Sequence, residues 1–228
     1  MTAEFLPMGD LAVRVAFGVE IGPSINDQVH RFCQCLQAEP IRGVIEWVPG
    51  YAAVAVYYQP WIVGYDDLCA VLAQCIRAAG NTPLPAPRRV EIPVCYAGEW
   101  GPDIDEVAAA HGLTGAQVIE RHVGGDYLVY FLGFLPGFPY LGGLDPSLAT
   151  PRRATPRLRV PAGAVGIAGA QTGVYPLETP GGWQIIGRTP LRLYDPDRQP
   201  PVLLAAGDHV RFVPITATQF EETANGPH

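Results

Sequence analysis

Two kinds of hydrophobic spacing organise the start of the chain. Glu4 to Pro7 and Leu11 to Phe17 are short extended runs on either side of Met8-Gly9-Asp10, whose turn chemistry suits a hairpin. Ile25, Val29, Phe32, Cys33 and Leu36 then fall at offsets 0, 4, 7, 8 and 11, one face of a helix that Ser24 can cap. Val44 to Val48 and Ala52 to Tyr58 form a second strand pair around Pro49-Gly50. Leu68, Val71, Leu72, Cys75 and Ile76 mark the buried side of a second helix, with Asp66 and Asp67 near its positive N-terminal end. The order ββαββα predicts a small α+β domain over residues 1–80.

Residues 81–87 contain three prolines and no hydrophobic period, so they read as an extended linker. Beyond it, Arg89 to Val94 is a predicted strand and Asp103 to His111 a short helix, followed by a Thr114-capped helix reaching about His122 with Val118 and Ile119 inward. Tyr127 to Phe134, Gly163 to Ala168, Gln184 to Gly187, Leu191 to Tyr194 and His209 to Val213 read as strands separated by Gly/Pro loops, as in a barrel or sandwich. This second domain spans 88–220, and 221–228 is a tail.

Composition narrows the function classes. The 26 glycines and 24 prolines among 228 residues accompany 48% hydrophobic residues, which describes a folded, turn-rich protein. Charged residues are 16%, below the usual ~25%, so part of the surface is expected to meet a partner. A formal net charge of −7 without any basic run argues against nucleic acid or an anionic membrane as partner. All 15 basic residues are arginine, which excludes a Schiff-base lysine and a phosphate-loop lysine. Ser24 and Ser147 are the only serines and neither sits in a G-x-S-x-G elbow. No signal-like start and no apolar run near the ~20 residues of a membrane span occur, so the protein reads as cytoplasmic. Cys33/Cys35 and Cys69/Cys75 turn to different helix faces, so neither pair reads as a zinc clamp or a disulfide; all four read as small buried apolar residues. Cys95 follows a strand, which leaves a reactive role open. The five histidines lack metal-ligand spacing, and no metal site is expected. Asp103, Asp105 and Glu106 are explained as acids at a helix start.

The chemistry-bearing stretch runs from His122 to Asp195. Its loops combine fixed proline dihedrals with glycines that permit close approach, a way to build a rigid concave wall. Phe138, Tyr140, Tyr175 and Trp183 offer an apolar floor, and Arg157, Gln171 and Arg188 its polar contacts. Ordinary barrel corners would use the same residues.

The strings GFLPGFPYLGGL, PR-x-R-VPAG-x-VGIAG, QTGVYP, TPGGW and IGRTP, with His122 ahead of the Tyr127 strand, resemble the family of 5-oxoprolinase B subunits, also called allophanate hydrolase subunit 1 or the sporulation kinase-inhibitor family. The resemblance implies an N-terminal α+β domain followed by a cyclophilin-like β-barrel. It further implies a homologous partner, the C subunit of 5-oxoprolinase (allophanate hydrolase subunit 2-like), the two together resembling the carboxyltransferase domain of urea carboxylase. The third protein of the implied complex is the 5-oxoprolinase A subunit. Together the three couple ATP hydrolysis to opening 5-oxo-L-proline to L-glutamate. The resemblance implies a chain inactive alone, with ATP and Mg²⁺ acting at the level of the complex and no cofactor bound to the isolated chain. Two other readings come with the family: an allophanate or urea-type amidohydrolase or carboxyltransferase subunit, and a non-enzymatic inhibitor of a sporulation histidine kinase.

Residue by residue, the resemblance makes His122 a candidate general acid/base, with a helix cap or core hydrogen-bond donor as the alternative. Arg157 and Arg188 are candidates to hold a carboxylate or phosphate, or else to pair with Asp126, Asp195 or another acid. Gln171 is placed to donate to a substrate carbonyl, and Gly181 and Gly182 to offer backbone N–H groups to an oxyanion. Trp183 is a pocket wall or core residue. With no lysine and no phosphate loop, ATP is left to arginines, to the subunit interface or to another subunit.

Overall fold

Residues 3–80 and 83–225 are described by a computed structural model. Met1, Thr2, the first linker residues Asn81 and Thr82, and the tail end Gly226 to His228 lie outside the described residues. The chain divides into two compact units between Ala86 and Pro87.

Unit 1 has the predicted ββαββα order: β1 (Glu4–Met8), β2 (Ala12–Ala16), α1 (Pro23–Ala38), β3 (Val44–Pro49), β4 (Ala53–Tyr58) and α2 (Tyr65–Ala79). The strands form one antiparallel sheet in the order β1-β2-β4-β3. Alternation along β2 and β4 sends Val13, Val15, Val54 and Val56 to one face, where they share a core with Val29, Phe32 and Leu36 of α1 and Leu68, Leu72 and Ile76 of α2.

Three expectations for this unit change. α1 begins at Pro23 with Gly22 as N-cap, so Ser24 lies in the first turn and caps nothing; proline's fixed φ and missing N–H suit the opening position. Val71 is 37% exposed and leaves the α2 seam to Leu68, Leu72, Cys75 and Ile76. Cys35 and Cys75 form a disulfide joining α1 to α2. Offsets within each helix separate the same-helix pairs, but the bond forms between helices, a relation that intrahelical spacing does not encode. Cys33 and Cys69 remain free and half-buried, and burial pushes the Cys33 thiol up to about 12.

Unit 2 is built from β5 (Arg89–Val94), α3 (Ile104–His111), α4 (Gly115–Val123), β6 (Tyr127–Leu132), β7 (Pro139–Gly142), β8 (Arg157–Val160), β9 (Ala164–Ala168), β10 (Gln171–Val174), β11 (Thr179–Gly181), β12 (Gln184–Arg188), β13 (His209–Pro214) and α5 (Ala217–Asn225). Seven strands run in the order β12-β9-β10-β7-β6-β13-β5, and β8 pairs separately with β11. The β5–β13 pair is parallel. Just past β5, the Cys95 N–H donates to the Arg188 carbonyl at 2.8 Å and the Arg188 N–H to the Cys95 carbonyl at 2.9 Å, so one bridge closes the sheet into a barrel. The interior holds Ile92, Val129, Leu141, Ile167, Val210 and Phe212 without exposure, each side chain worth roughly 1.5–3 kcal/mol by burial. Thr114 caps α4 as expected, in a reciprocal capping box with Gln117.

Leu191 to Tyr194 is not a strand; Leu193 and Tyr194 reach only the local segment at Val202–Leu203, so their alternation joins no sheet. Cys95 is fully buried within the barrel closure, which removes the reactive role left open for it. Among the described residues no helix is long and apolar enough to cross a membrane.

Candidate functional site

His122 lies in the last turn of α4 with no exposed surface. Its Nδ1 is 2.9 Å from the Tyr96 hydroxyl and its Nε2 3.0 Å from Thr172 Oγ1. The Thr172 hydroxyl proton goes to the Gly166 carbonyl, so Thr172 accepts from Nε2–H, and Nδ1 accepts from Tyr96. The ring stacks on Phe212 with centroids 4.5 Å apart. Burial lowers the imidazole pKa to about 3, and no charged partner opposes that shift. Both nitrogens are therefore engaged and the ring stays neutral. This corrects the general acid/base expectation: His122 is a core hydrogen-bond relay between α4, β10 and the segment after β5, the alternative its position at a helix end allowed.

Arg157 and Arg188 are brought to one cleft of about 270 Å³, lined also by Glu99, Trp100, Arg159 and Ile185. Arg157 pairs with an acid other than Asp126 and Asp195. Arg157 donates from Nη1 and Nη2 to Asp103 at 2.8 and 2.6 Å. Asp103, 2% exposed, also accepts from Arg153 at 3.0 Å and from the Ile185 N–H at 2.6 Å. Asp103 is thus more than a helix-start acid: it pins α3 to β8 and β12 through a buried charge cluster. Arg188 is half-buried, donates from Nε to the Ala162 carbonyl at 2.8 Å, and sits 5.8 Å from the Phe220 ring centroid. No acid among the described residues pairs with it.

The aromatic floor is a packed core. Phe138, Tyr175 and Trp183 are at most 6% exposed and meet edge to face at 5.4 to 6.3 Å. Tyr140 is half-buried and stacks on Phe131 at 4.5 Å. Gln171 opens β10, half-buried and opposite Ala168. A Cβ on Gly181 would stand 2.5 Å from the Tyr175 hydroxyl. Close packing around Tyr175 therefore accounts for Gly181. Gly182 offers its carbonyl to the Arg153 N–H at 2.7 Å. Phe138, Tyr175 and Trp183 belong to one buried cluster with Tyr140 packed against it, and His122 is not among its residues.

A second cleft, of about 410 Å³, had no sequence signal. Arg89, Glu91, Asp126, His209 and Arg211 line it, with His209 Nδ1 3.0 Å from Asp126. Asp126 and His209 are 83 residues apart, and the parallel β5–β13 register that sets Arg89 beside His209 is a long-range pairing. Among the described residues no three His, Cys, Asp or Glu side chains are arranged to hold a metal. Of the three arginines of the smaller cleft, Arg157 is held by Asp103 and Arg159 by Glu178, which leaves Arg188 as the one among them without an acidic partner among the described residues, and about 270 Å³ holds only part of a nucleotide.

Residues 3–204 match the family described as carboxyltransferase domain, subdomain C and D. The 5-oxoprolinase B subunit of Escherichia coli O157:H7 is 63% identical over 91% of this chain and 94% of its own length. The 5-oxoprolinase B subunit of Bacillus subtilis is 43% identical over 93% of each. The solved urea carboxylase of Kluyveromyces lactis superposes with a TM-score of 0.80 over 98% of this chain at 20% identity, this chain spanning 23% of that one. The fold accords with these likenesses, and the chain belongs to the carboxyltransferase domain, subdomain C and D, family.

Proposed function

We infer that this chain is the B subunit of an ATP-dependent 5-oxoprolinase complex that opens 5-oxo-L-proline to L-glutamate. The observation that carries the reading is near full-length identity of 63% and 43% to two proteins named as the B subunit of 5-oxoprolinase. The chain works with the homologous C subunit and with the third, A-type protein of the complex, and it contributes one wall of a shared site. Arg188, supported by Arg157, is the group on this wall that meets an anionic part of the reactants, and the neighbouring loops form the surface that partners cover. ATP and Mg²⁺ act in the assembled complex. The chain alone turns nothing over, since it offers no exposed acid/base group at the cleft besides Glu99. A urea-type substrate is the weaker reading, because matches to a urea carboxylase and a urea amidolyase reach only 27% and 32% identity over about half of this chain and span 11% and 7% of those proteins. Replacing the B subunit of the Escherichia coli O157:H7 enzyme by this chain tests the inference. Retained ATP-dependent glutamate release supports it, and an assembled hybrid without release refutes it.

A further inference from the structure

On a chain of formal net charge −7, the cleft between β8, β12 and the turn at Gly98–Trp100 reverses the local sign: three arginines and one glutamate line it. The three are not equivalent. Arg157 is neutralised by buried Asp103. Arg159 pairs with Glu178 at 3.0 Å, both well exposed, and such a pair holds little in water. Arg188 alone among them has no acidic partner among the described residues, while its backbone is fixed on both sides by the barrel-closing bridge to Cys95. Its Nε is spent on the Ala162 carbonyl and its plane lies near the Phe220 ring. The Nη donors have no acceptor within the described chain. A half-buried, preorganised guanidinium with free donors beside Trp100, Pro102, Pro161 and Ile185 is built for a partner that brings negative charge and two acceptor oxygens.

We propose that this cleft is an oxyanion-binding site in which Arg188 takes a carboxylate or phosphoryl group of a small ligand through its Nη donors. At about 270 Å³ the cleft falls below the ~300–1,000 Å³ typical of sites for drug-sized ligands, so it takes a small acid or one end of a larger molecule. Apolar walls reduce solvent screening and strengthen the contact. Arg157 borders the cleft in a positioning role, because Asp103 occupies its fork.

The probes follow from the proposed function; the site itself rests on the geometry. Calorimetric titration of the full chain with 5-oxo-L-proline, inorganic pyrophosphate and uncharged pyrrolidinone decides it. Saturable binding of either anion is expected, none of pyrrolidinone, and Arg188→Met weakens the anion at least about tenfold, as for loss of a charged hydrogen bond. Arg188→Lys, which keeps the charge and loses the planar fork, falls between and covers the case in which the methionine variant unfolds. Binding of 5-oxo-L-proline alone identifies a carboxylate site, and of pyrophosphate alone a phosphoryl site. Anion binding that is absent, or unchanged in both variants, overturns the proposal, as does pyrrolidinone binding as tightly as the acid. If the assembled complex releases glutamate with unchanged KM for ATP and 5-oxo-L-proline when it carries either variant, the cleft assignment fails and the function stands. If the anions bind through Arg188 while the assembled complex releases no glutamate, the function fails and the cleft stands.

Discussion

Asp103 collects donors from Arg153, Arg157 and the Ile185 backbone while almost fully buried. Asp103→Ala leaves two guanidinium groups and one N–H without their acceptor, and is expected to lower unfolding free energy by about 3 kcal/mol, since breaking a buried ion pair strands its partners. Denaturant unfolding checks it; a loss within experimental error would mean the cluster is idle. His122 makes a prediction about pH. Its folded pKa of about 3 lies below the ordinary 6.5, so the unfolded chain takes up a proton first. Stability from this residue is complete above pH 6.5 and falls as pH drops toward 3, with a limiting slope of about 1.4 kcal/mol per pH unit. His122→Gln, which cannot take up that proton, is expected to flatten the limb between pH 6.5 and 5, before carboxylates titrate. An unchanged slope in the variant contradicts the buried, neutral assignment.

The helices were the most legible elements, because a 3.6-residue period is a local property: Val29, Phe32 and Leu36, and Leu68, Leu72 and Ile76, are buried where their spacing put them. The disulfide between them was not legible. It predicts that thiol labelling of the unfolded protein finds three cysteines without reductant, Cys33, Cys69 and Cys95, and five with it. Five in both cases would disprove the link between α1 and α2. Among the strands, β9 was evident from the apolar run Ala164–Ala168, whereas β7, β8, β10 and β11 were missed, being only three or four residues long. So short a run carries too little alternation to mark a strand without its pairing partner. The corner before β9 depends on Gly163, at φ +82°, where an added Cβ would collide with the Thr189 carbonyl. Gly163→Ala is expected to cost at least about 1 kcal/mol through backbone strain, visible as a lower midpoint at unchanged slope in a denaturant titration.

For the whole molecule, the sequence motifs grouped residues that the fold divides between a cleft and a buried core. Arg157 and Arg188 do share a cleft, 31 positions apart, because β8 and β12 approach it together. Phe138, Tyr175 and Trp183 were expected around an opening and instead fill the space behind it, since aromatic residues serve a pocket and a core equally well and only tertiary packing separates the two uses. The low charge content and the uncompensated Arg188 both accord with the proposed shared site. The central claim is tested most directly by ATP-dependent release of L-glutamate from 5-oxo-L-proline, using this chain with its two partner proteins and leaving out each in turn. The account predicts release from the complete mixture and none when this chain is omitted. An assembled mixture that releases no glutamate, or one that releases it equally well without this chain, contradicts the account.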